Sequence, residues 1–248
     1  MRSGRLRVGF DGDSVPWAFL NGNGEAVGFD AEMAHQLALA LGVRLEHVVV
    51  PRERFAEALA NGTVDIVMSG WRATARRTEA VAFSRPYAEE AIAFLVEDHR
   101  RGEFSDFALL TRQPLRIAVL GLPEWMEALK RALPNAEVVP VASPLDFVEG
   151  RVHADGLLTS WERACAWSLL YPELAPALPQ PRPGNFSLSY ALPRGEPELL
   201  NMVDTFIDVA RAAGRLDSAR AHWIEGEATR QKQPRWSIAR DLLGWWRD

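Results

Sequence analysis

Three arginines fall within six residues in the stretch SGWRATARRTEAVAFSRPY, residues 69 to 87, directly after the apolar run VDIVM. A guanidinium is a planar fork of donors that can bind both oxygens of a carboxylate, so Arg72, Arg76 and Arg77 point to an anion seat. Ser69, Gly70, Arg72 and Thr74 stand just past the end of a strand-like run, and open α/β sheets bind ligands outside the carboxyl ends of their strands. Thr74 is read as the cap of a short helix containing Arg77, whose free N–H groups and positive dipole end would add to the clamp. Position on this turn ranks Arg77 first as a ligand residue and Arg72 second, with Arg76 a solvated surface charge.

Bulk composition requires such a cluster to act locally. The 248 residues are 48% hydrophobic and 25% charged, with a formal net charge of -5, the profile of a globular protein with no general attraction for nucleic acid. Cys165 is the only cysteine, so no disulfide within the chain and no thiolate cluster is expected. His35, His47, His99, His153 and His222 show neither metal-ligand spacing nor a triad pattern, and no metal, cofactor or catalytic residue is expected. No apolar run approaches the roughly 18 residues of a membrane helix. LRVGF enters a strand too early for a secretory leader. The expectation is a cytoplasmic protein, or one whose targeting or membrane part lies outside this chain.

The elements that must position the cluster alternate. LRVGF reads as a strand, FDAEMAHQLALALG as a helix with Ala34, Leu37, Ala38 and Leu41 on one stripe, and VRLEHVVV as a strand. Asp30 is read as the helix cap and Gly42 as its stop. This is a βαβ unit, and hence a parallel sheet. A helix near 52 to 60 and a strand at 64 to 68 follow. After a strand-like AIAFLVED, a second series brings the strand LRIAVL, the helix PEWMEALKRAL, the strand AEVVPV, and Ser143-Pro144 opening another helix. Each series contains a helix stopped by glycine, at Gly62 and Gly150, then a buried strand ending at a hydroxyl residue, Ser69 or Thr159. Two similarly built lobes are implied. SLSYAL is a further strand, and Leu199, Val203, Phe206, Ile207 and Ala210 mark one face of a long helix.

The blocks LRVGFDGDSVPWAFLNGNGEAVGFDAEMA, NGTVDIVMSGWRATARRTEAVAFSRPY, LPNAEVVPVAS and YALPRGEPELLNMVDTFIDVARAAGRLDSARAHW resemble the family 3 extracellular solute-binding proteins, over residues 5 to about 225. That resemblance implies a two-lobed, type II periplasmic-binding-protein-like α/β fold, with two parallel-rich sheets and flanking helices. Residues 1–90 with 187–226 would form lobe 1 and 91–186 lobe 2, with two hinge crossings near 88 to 92 and 183 to 188. It further implies that Arg77 grips a ligand carboxylate in an interlobe cleft closed by the hinge, with the Gly70 backbone and Arg72 beside it. Asp11 would stand at the cleft edge or cap a loop. Trp17 would pack on the ligand or in the core, and Trp71 is open in the same way. The resemblance implies a periplasmic or extracytoplasmic site of action and a membrane transporter as partner, the isolated domain being a monomer.

The chain also departs from the family pattern. Arg72 stands where Thr or Ser is common, LGLPEW with Leu122 and Pro123 replaces a Gly-Thr-Thr, and Ser160 replaces the aspartate that receives the ligand ammonium. Two arginines without that acceptor suit an anion better than a zwitterion. Glu162 could restore the acceptor, but Thr159-Ser160-Trp161-Glu162 also reads as a capping box. ACAWSLLYPELAPALPQP and PRWSIARDLLGWW resemble the solute-binding module fused to cation:dicarboxylate symporter-like proteins. In the tail, 227–248, Trp236, Ile238, Leu242, Trp245 and Trp246 form an amphipathic segment capped by Ser237, for docking on a lobe or contact with a membrane or partner. Two alternatives to a transport receptor stand: a ligand-sensing domain of a membrane protein, and a cyclohexadienyl-dehydratase-like enzyme with Glu162 as general acid.

Overall fold

Leu6, Val8 and Phe10 alternate inward along the strand Arg5–Phe10 and are at most 1% exposed, and the strand lies second in its five-stranded sheet, between two neighbours. The computed structural model describes residues 4–121 and 123–225. Arg5–Phe10 pairs in parallel with Arg44–Val49 on one side and Ile66–Val67 on the other. The helix Phe29–Leu41 makes the crossover, burying Met33, Ala34, Leu37 and Ala38 and ending on Gly42 in the left-handed conformation at φ 65°. The segment 52 to 60 is helical as expected, a single 3-10 turn leading into Phe55–Ala60. Between Arg5–Phe10 and the first helix lies a three-stranded antiparallel meander, Asp13–Ser14, Ala18–Leu20 and Ala26–Val27.

The start of that first helix differs from the expectation. Its N-cap is Gly28, at φ 118°, and a Cβ there would lie 2.5 Å from the Trp17 carbonyl oxygen. Only glycine lets the helix end approach so closely. The N–H groups of Phe29 and Asp30 consequently donate to the Pro16 and Trp17 carbonyls at 3.0 and 2.7 Å. With these N–H groups already satisfied, the Asp30 side chain makes no cap hydrogen bond. It turns inward, fully buried, and accepts from the Gly70 N–H at 2.6 Å and the Tyr87 hydroxyl at 2.8 Å.

The chain divides into two compact units, one running to Glu89 and resuming at Ser187, the other spanning Glu90–Phe186. The second has its own parallel trio, with Arg116–Leu120 between Glu137–Val141 and Gly156–Ser160. Each trio therefore has its first strand in the middle. The helix-stopping glycines also match, Gly62 at φ 72° and Gly150 at φ 70°. So do the aspartates that open the third strands. Asp65 accepts from the Arg7 backbone N–H at 2.8 Å, and Asp155 from that of Arg116 at 2.7 Å.

Both sheets are mixed rather than wholly parallel. Ala191–Leu192 runs antiparallel to Ile66–Val67 and Ala82–Phe83 in the first. Ala88–Glu97 runs antiparallel to Gly156–Ser160 and Leu174–Ala177 in the second. These antiparallel strands lie just where the chain has passed from one unit into the other, so they enter a sheet without the crossover helix that parallel pairing requires. The long helix Pro197–Ala212 buries Leu199, Val203, Phe206, Ile207 and Ala210, the face its sequence period marks. None of the described helices is long and apolar enough to cross a membrane. Leu122 and the tail residues Trp236, Ser237, Ile238, Leu242, Trp245 and Trp246 lie outside the described residues.

Candidate functional site

In the first unit the strand Ile66–Val67 delivers Ser69, Gly70, Trp71 and Arg72 past its carboxyl end, and the chain then bridges to Leu188 through Arg72. Arg77 follows on a three-residue 3-10 turn, Arg77–Glu79, not on an α-helix. Such a turn carries no useful macrodipole, which removes the helix-end contribution to an anion seat. Thr74 still organises the approach, its hydroxyl oxygen accepting from the Arg77 N–H at 3.3 Å. Packing holds the Arg77 side chain: its guanidinium carbon sits 5.0 Å from the centre of the Trp71 ring, and Nη1 donates to the Arg72 carbonyl at 2.8 Å. Arg72 and Arg77 are half-buried and Arg76 is exposed.

Trp71 belongs to the core. It is 5% exposed, meets Phe55 edge to face at 5.2 Å and leans on Phe83 at 5.6 Å. Its indole Nε1 is buried with no hydrogen-bond partner. The ring thus serves as a fixed platform for Arg77. Trp17 is also interior, fully buried with its ring edge-on to Phe29 at 5.2 Å and Tyr87 at 5.9 Å, so the structure places it in packing rather than on an open face.

Asp11 is held by neighbours within the first unit. Its carboxylate accepts from the Ser14 hydroxyl at 2.9 Å, from the Ser69 hydroxyl at 2.9 Å and from Arg52 Nε at 2.7 Å. Arg52 also donates to the Ser69 carbonyl at 3.0 Å and to the Ser14 hydroxyl. The guanidinium carbon of Arg52 lies 5.8 Å from the centre of the Phe55 ring. A ladder results, running Arg52, Phe55, Trp71, Arg77, with a guanidinium at each end of an aromatic pair. Gly70, at φ 55°, gives its N–H to Asp30.

The second unit gathers Thr159, Ser160 and Glu162 where the strand Gly156–Ser160 meets the helix Trp161–Leu170. The expected capping box is not formed. Ser160, not Thr159, is the N-cap, accepting from the Arg163 N–H at 3.3 Å, so Glu162 falls one position short of the place a box requires. Glu162 is 4% exposed. Ser160 also donates its hydroxyl to Glu90 at 2.8 Å, and Arg163 Nε lies 3.4 Å from the same carboxylate oxygen. Glu90 is 1% exposed.

Arg52, Glu90 and Arg163 were missed in the sequence. Glu90 had a signal, because it shares strand parity with Phe94 and Val96 and must face inward with them. Arg52 had none: its partner is 41 positions away and PRERF shows no period. Among the described residues no group of His, Cys, Asp and Glu is arranged to hold a metal ion.

Comparison with known proteins follows the same outline. The model of the bacterial extracellular solute-binding proteins, family 3, matches residues 6–226. The chain is similar to a cyclohexadienyl dehydratase of Pseudomonas aeruginosa, 31% identical over 233 residues covering 91% of this chain and 84% of the relative. A probable histidine-binding protein of Neisseria gonorrhoeae is 33% identical over 100 residues, 40% of this chain and 37% of its own. Among solved structures, an ancestral amino acid-binding protein described as a precursor of cyclohexadienyl dehydratase aligns at TM-score 0.78 with 30% identity, covering 90% of this chain and 97% of that one. An amino acid ABC transporter substrate-binding protein of Streptococcus pneumoniae, bound to L-arginine, aligns at TM-score 0.78 with 26% identity, covering 92% and 95%. The family model spans nearly the whole described chain and a relative 31% identical is matched over most of its length, and the protein belongs to the family 3 bacterial extracellular solute-binding proteins.

Proposed function

We propose that this chain is a receptor for a small carboxylate-bearing solute, with Arg77 as the principal anion ligand and Arg72 beside it, and that it delivers its ligand to a membrane transporter. The carrying observation is the seating of Arg77: a half-buried guanidinium stacked on a core tryptophan and tethered to the Arg72 carbonyl, just past the carboxyl end of a strand. A cation fixed in this way loses little side-chain freedom on binding, so more of the ion-pair energy appears as affinity. Family membership supports the transport role.

A thermal-shift screen of the full chain against dicarboxylates, acidic amino acids and neutral amino acids tests the reading, since a ligand of the folded state raises apparent stability by mass action. At least one carboxylate should raise the melting temperature, and Arg77→Ala should abolish that rise. An undiminished shift in the variant would remove Arg77 from the site.

A second reading is favoured by the dehydratase relative together with the burial of Glu162 in the first turn of its helix. In that reading Glu162 protonates the departing hydroxyl, which leaves as water while carbon dioxide is lost and the electron pair of the broken C–C bond enters the ring, and the arginines hold the substrate carboxylates. Incubation with prephenate and arogenate separates the two: a receptor yields no aromatic product, whereas an enzyme yields product that Glu162→Gln abolishes.

A further inference from the structure

Past the strand Ile66–Val67 the Met68 N–H still donates to the Gly9 carbonyl at 3.1 Å, and the turn 69–72 beyond it is held by groups from elsewhere in the first unit. Arg52 donates to the Ser69 carbonyl at 3.0 Å, the Ser189 N–H to the Trp71 carbonyl at 3.3 Å, and Arg77 Nη1 to the Arg72 carbonyl at 2.8 Å. The Gly70 N–H donates to Asp30 Oδ2 at 2.6 Å, the shortest of these bonds and one made to a carboxylate.

The same oxygen of Asp30 accepts from the Tyr87 hydroxyl at 2.8 Å. Two donors from distant parts of the chain thus share one acceptor. In a buried site bonded groups polarise one another strongly, so a change at either donor is felt at the other. The surroundings hold the tyrosine in place. Tyr87 stacks on Tyr190 with ring centres 4.2 Å apart and on Phe29 at 5.7 Å, while Trp17 stands edge-on to Phe29 and Tyr87. None of these four rings is more than 5% exposed, and close packing fixes the hydroxyl that Asp30 receives. Tyr87 and Tyr190 stand within three residues of Glu89 and Ser187, where the chain leaves the first unit and re-enters it.

Resting on the carboxylate-receptor reading above, we propose that Asp30 is a positioning residue for the ligand: it fixes the Gly70 turn that supports Arg77, and it passes displacement of that turn to Tyr87. Arg77 depends on the turn twice, through the Trp71 ring beneath its guanidinium and through the Arg72 carbonyl. A turn held in one geometry before binding presents both supports already in place, so affinity rises without any contact between Asp30 and the ligand. A carboxylate drawing on Arg77 pulls on the same turn, and the Gly70 bond adjusts with it. Through the shared Oδ2 the Tyr87 bond adjusts as well, so occupancy is registered beside the points where the chain leaves and re-enters the unit.

Isothermal titration calorimetry of the full chain with succinate, L-glutamate and L-glutamine, each of which carries a carboxylate, tests the positioning role. NMR of chain whose tyrosines carry carbon-13 at the ring ε positions tests the transmission. The sequence has three tyrosines, Tyr87, Tyr171 and Tyr190, so single Tyr→Phe variants assign the signals. Asp30→Asn, shown to be folded by circular dichroism, should weaken the tightest of the three probes about tenfold and abolish the Tyr87 shift that saturation produces in the unmodified chain. Tyr87→Phe keeps Asp30, Gly70 and the ring stack. It should move the Gly70 amide proton downfield, because Oδ2 then serves one donor fewer, and weaken the probe by no more than about twofold. Both changes disturb one buried cluster and lower stability, so a merely structural role would move affinity in both variants or in neither. Affinity in Asp30→Asn within about twofold of wild type overturns the proposal, as does a Tyr87 signal unmoved by saturation of the unmodified chain. Should Asp30→Asn fail to fold, Tyr87→Phe decides: a loss of about tenfold, or an unmoved Gly70 amide, overturns it. If a probe binds through Arg77 and ignores Asp30, only this inference falls; if none of the three binds, the receptor reading falls with it.

Discussion

Asp65 holds Arg7 by three hydrogen bonds, accepting the backbone N–H at 2.8 Å, guanidinium Nε at 3.1 Å and Nη2 at 2.6 Å. The contact fastens the start of the third parallel strand to the start of the first. Burial pushes the Asp65 carboxyl up, but the hydrogen bonds and charge of Arg7 outweigh it and hold it below its ordinary value. A carboxylate with a depressed folded-state pKa contributes stability above its unfolded pKa and loses it as pH falls through the folded value. Asp65→Asn should therefore lower stability by about 1–3 kcal/mol at neutral pH. In urea unfolding at pH 7 and below pH 3, the gap between variant and parent should be large at the first and close at the second.

His47 predicts an acid effect over a different range. Burial, and secondarily the neighbouring His35, lower its pKa to about 4, and its Nε2 is buried without a hydrogen-bond partner. The unfolded chain takes up this proton below about pH 6.5 while the folded one does not until about pH 4. Stability should fall between those limits and level off below them, by on the order of 1–3 kcal/mol after allowance for partial exposure. His47→Phe should flatten that part of the profile, and proton NMR should show the His47 ring titrating near pH 4.

The Asp30 carboxylate connects the first helix, the turn at Gly70 and Tyr87, and its removal should be costly. It is fully buried, with donors from Gly70 and Tyr87 at 2.6 and 2.8 Å. The Tyr190 hydroxyl is raised well above its ordinary pKa by burial and then by the Asp30 charge. Asp30→Ala would leave buried donors unmatched, a loss of about 3–5 kcal/mol. The expected measurement is a lower chemical-denaturation midpoint, with Asp30→Asn intermediate because its amide oxygen can still accept.

These cases show what the sequence carried and what it did not. The 3.6-residue period placed the five inward residues of Pro197–Ala212, and glycine placed the stops at Gly42, Gly62 and Gly150, because both signals are local. Asp30 was read as a cap, since the rule weighs a polar side chain before a helix and not a carbonyl arriving from Pro16 or Trp17. The Thr159–Glu162 box failed by one residue, within the usual uncertainty of helix boundaries. The arginine cluster was legible as a charge pattern. Its platform was less so, because Phe55 and Trp71 meet only after the sheet has formed, and the Arg52–Asp11 pair joins segments that share no pattern.

Trp71 permits a test that separates the platform from the fold. Arg77 lies over its ring, while the indole N–H is buried and makes no hydrogen bond, so the polar part of the side chain contributes nothing favourable. Trp71→Phe keeps an aromatic face for the guanidinium and removes an unmatched buried donor, which offsets part of the lost packing. Trp71→Leu removes the face itself, and with it the roughly 0.5–2 kcal/mol of cation–π attraction that holds Arg77 in place. Carboxylate affinity should therefore stay within about threefold of wild type in Trp71→Phe and drop about tenfold in Trp71→Leu, a difference of about 1.4 kcal/mol per factor of ten. Both variants lose core volume, so unfolding midpoints alone would not separate them. Equal affinities in the two would show that Arg77 is held by the Arg72 carbonyl rather than by the ring.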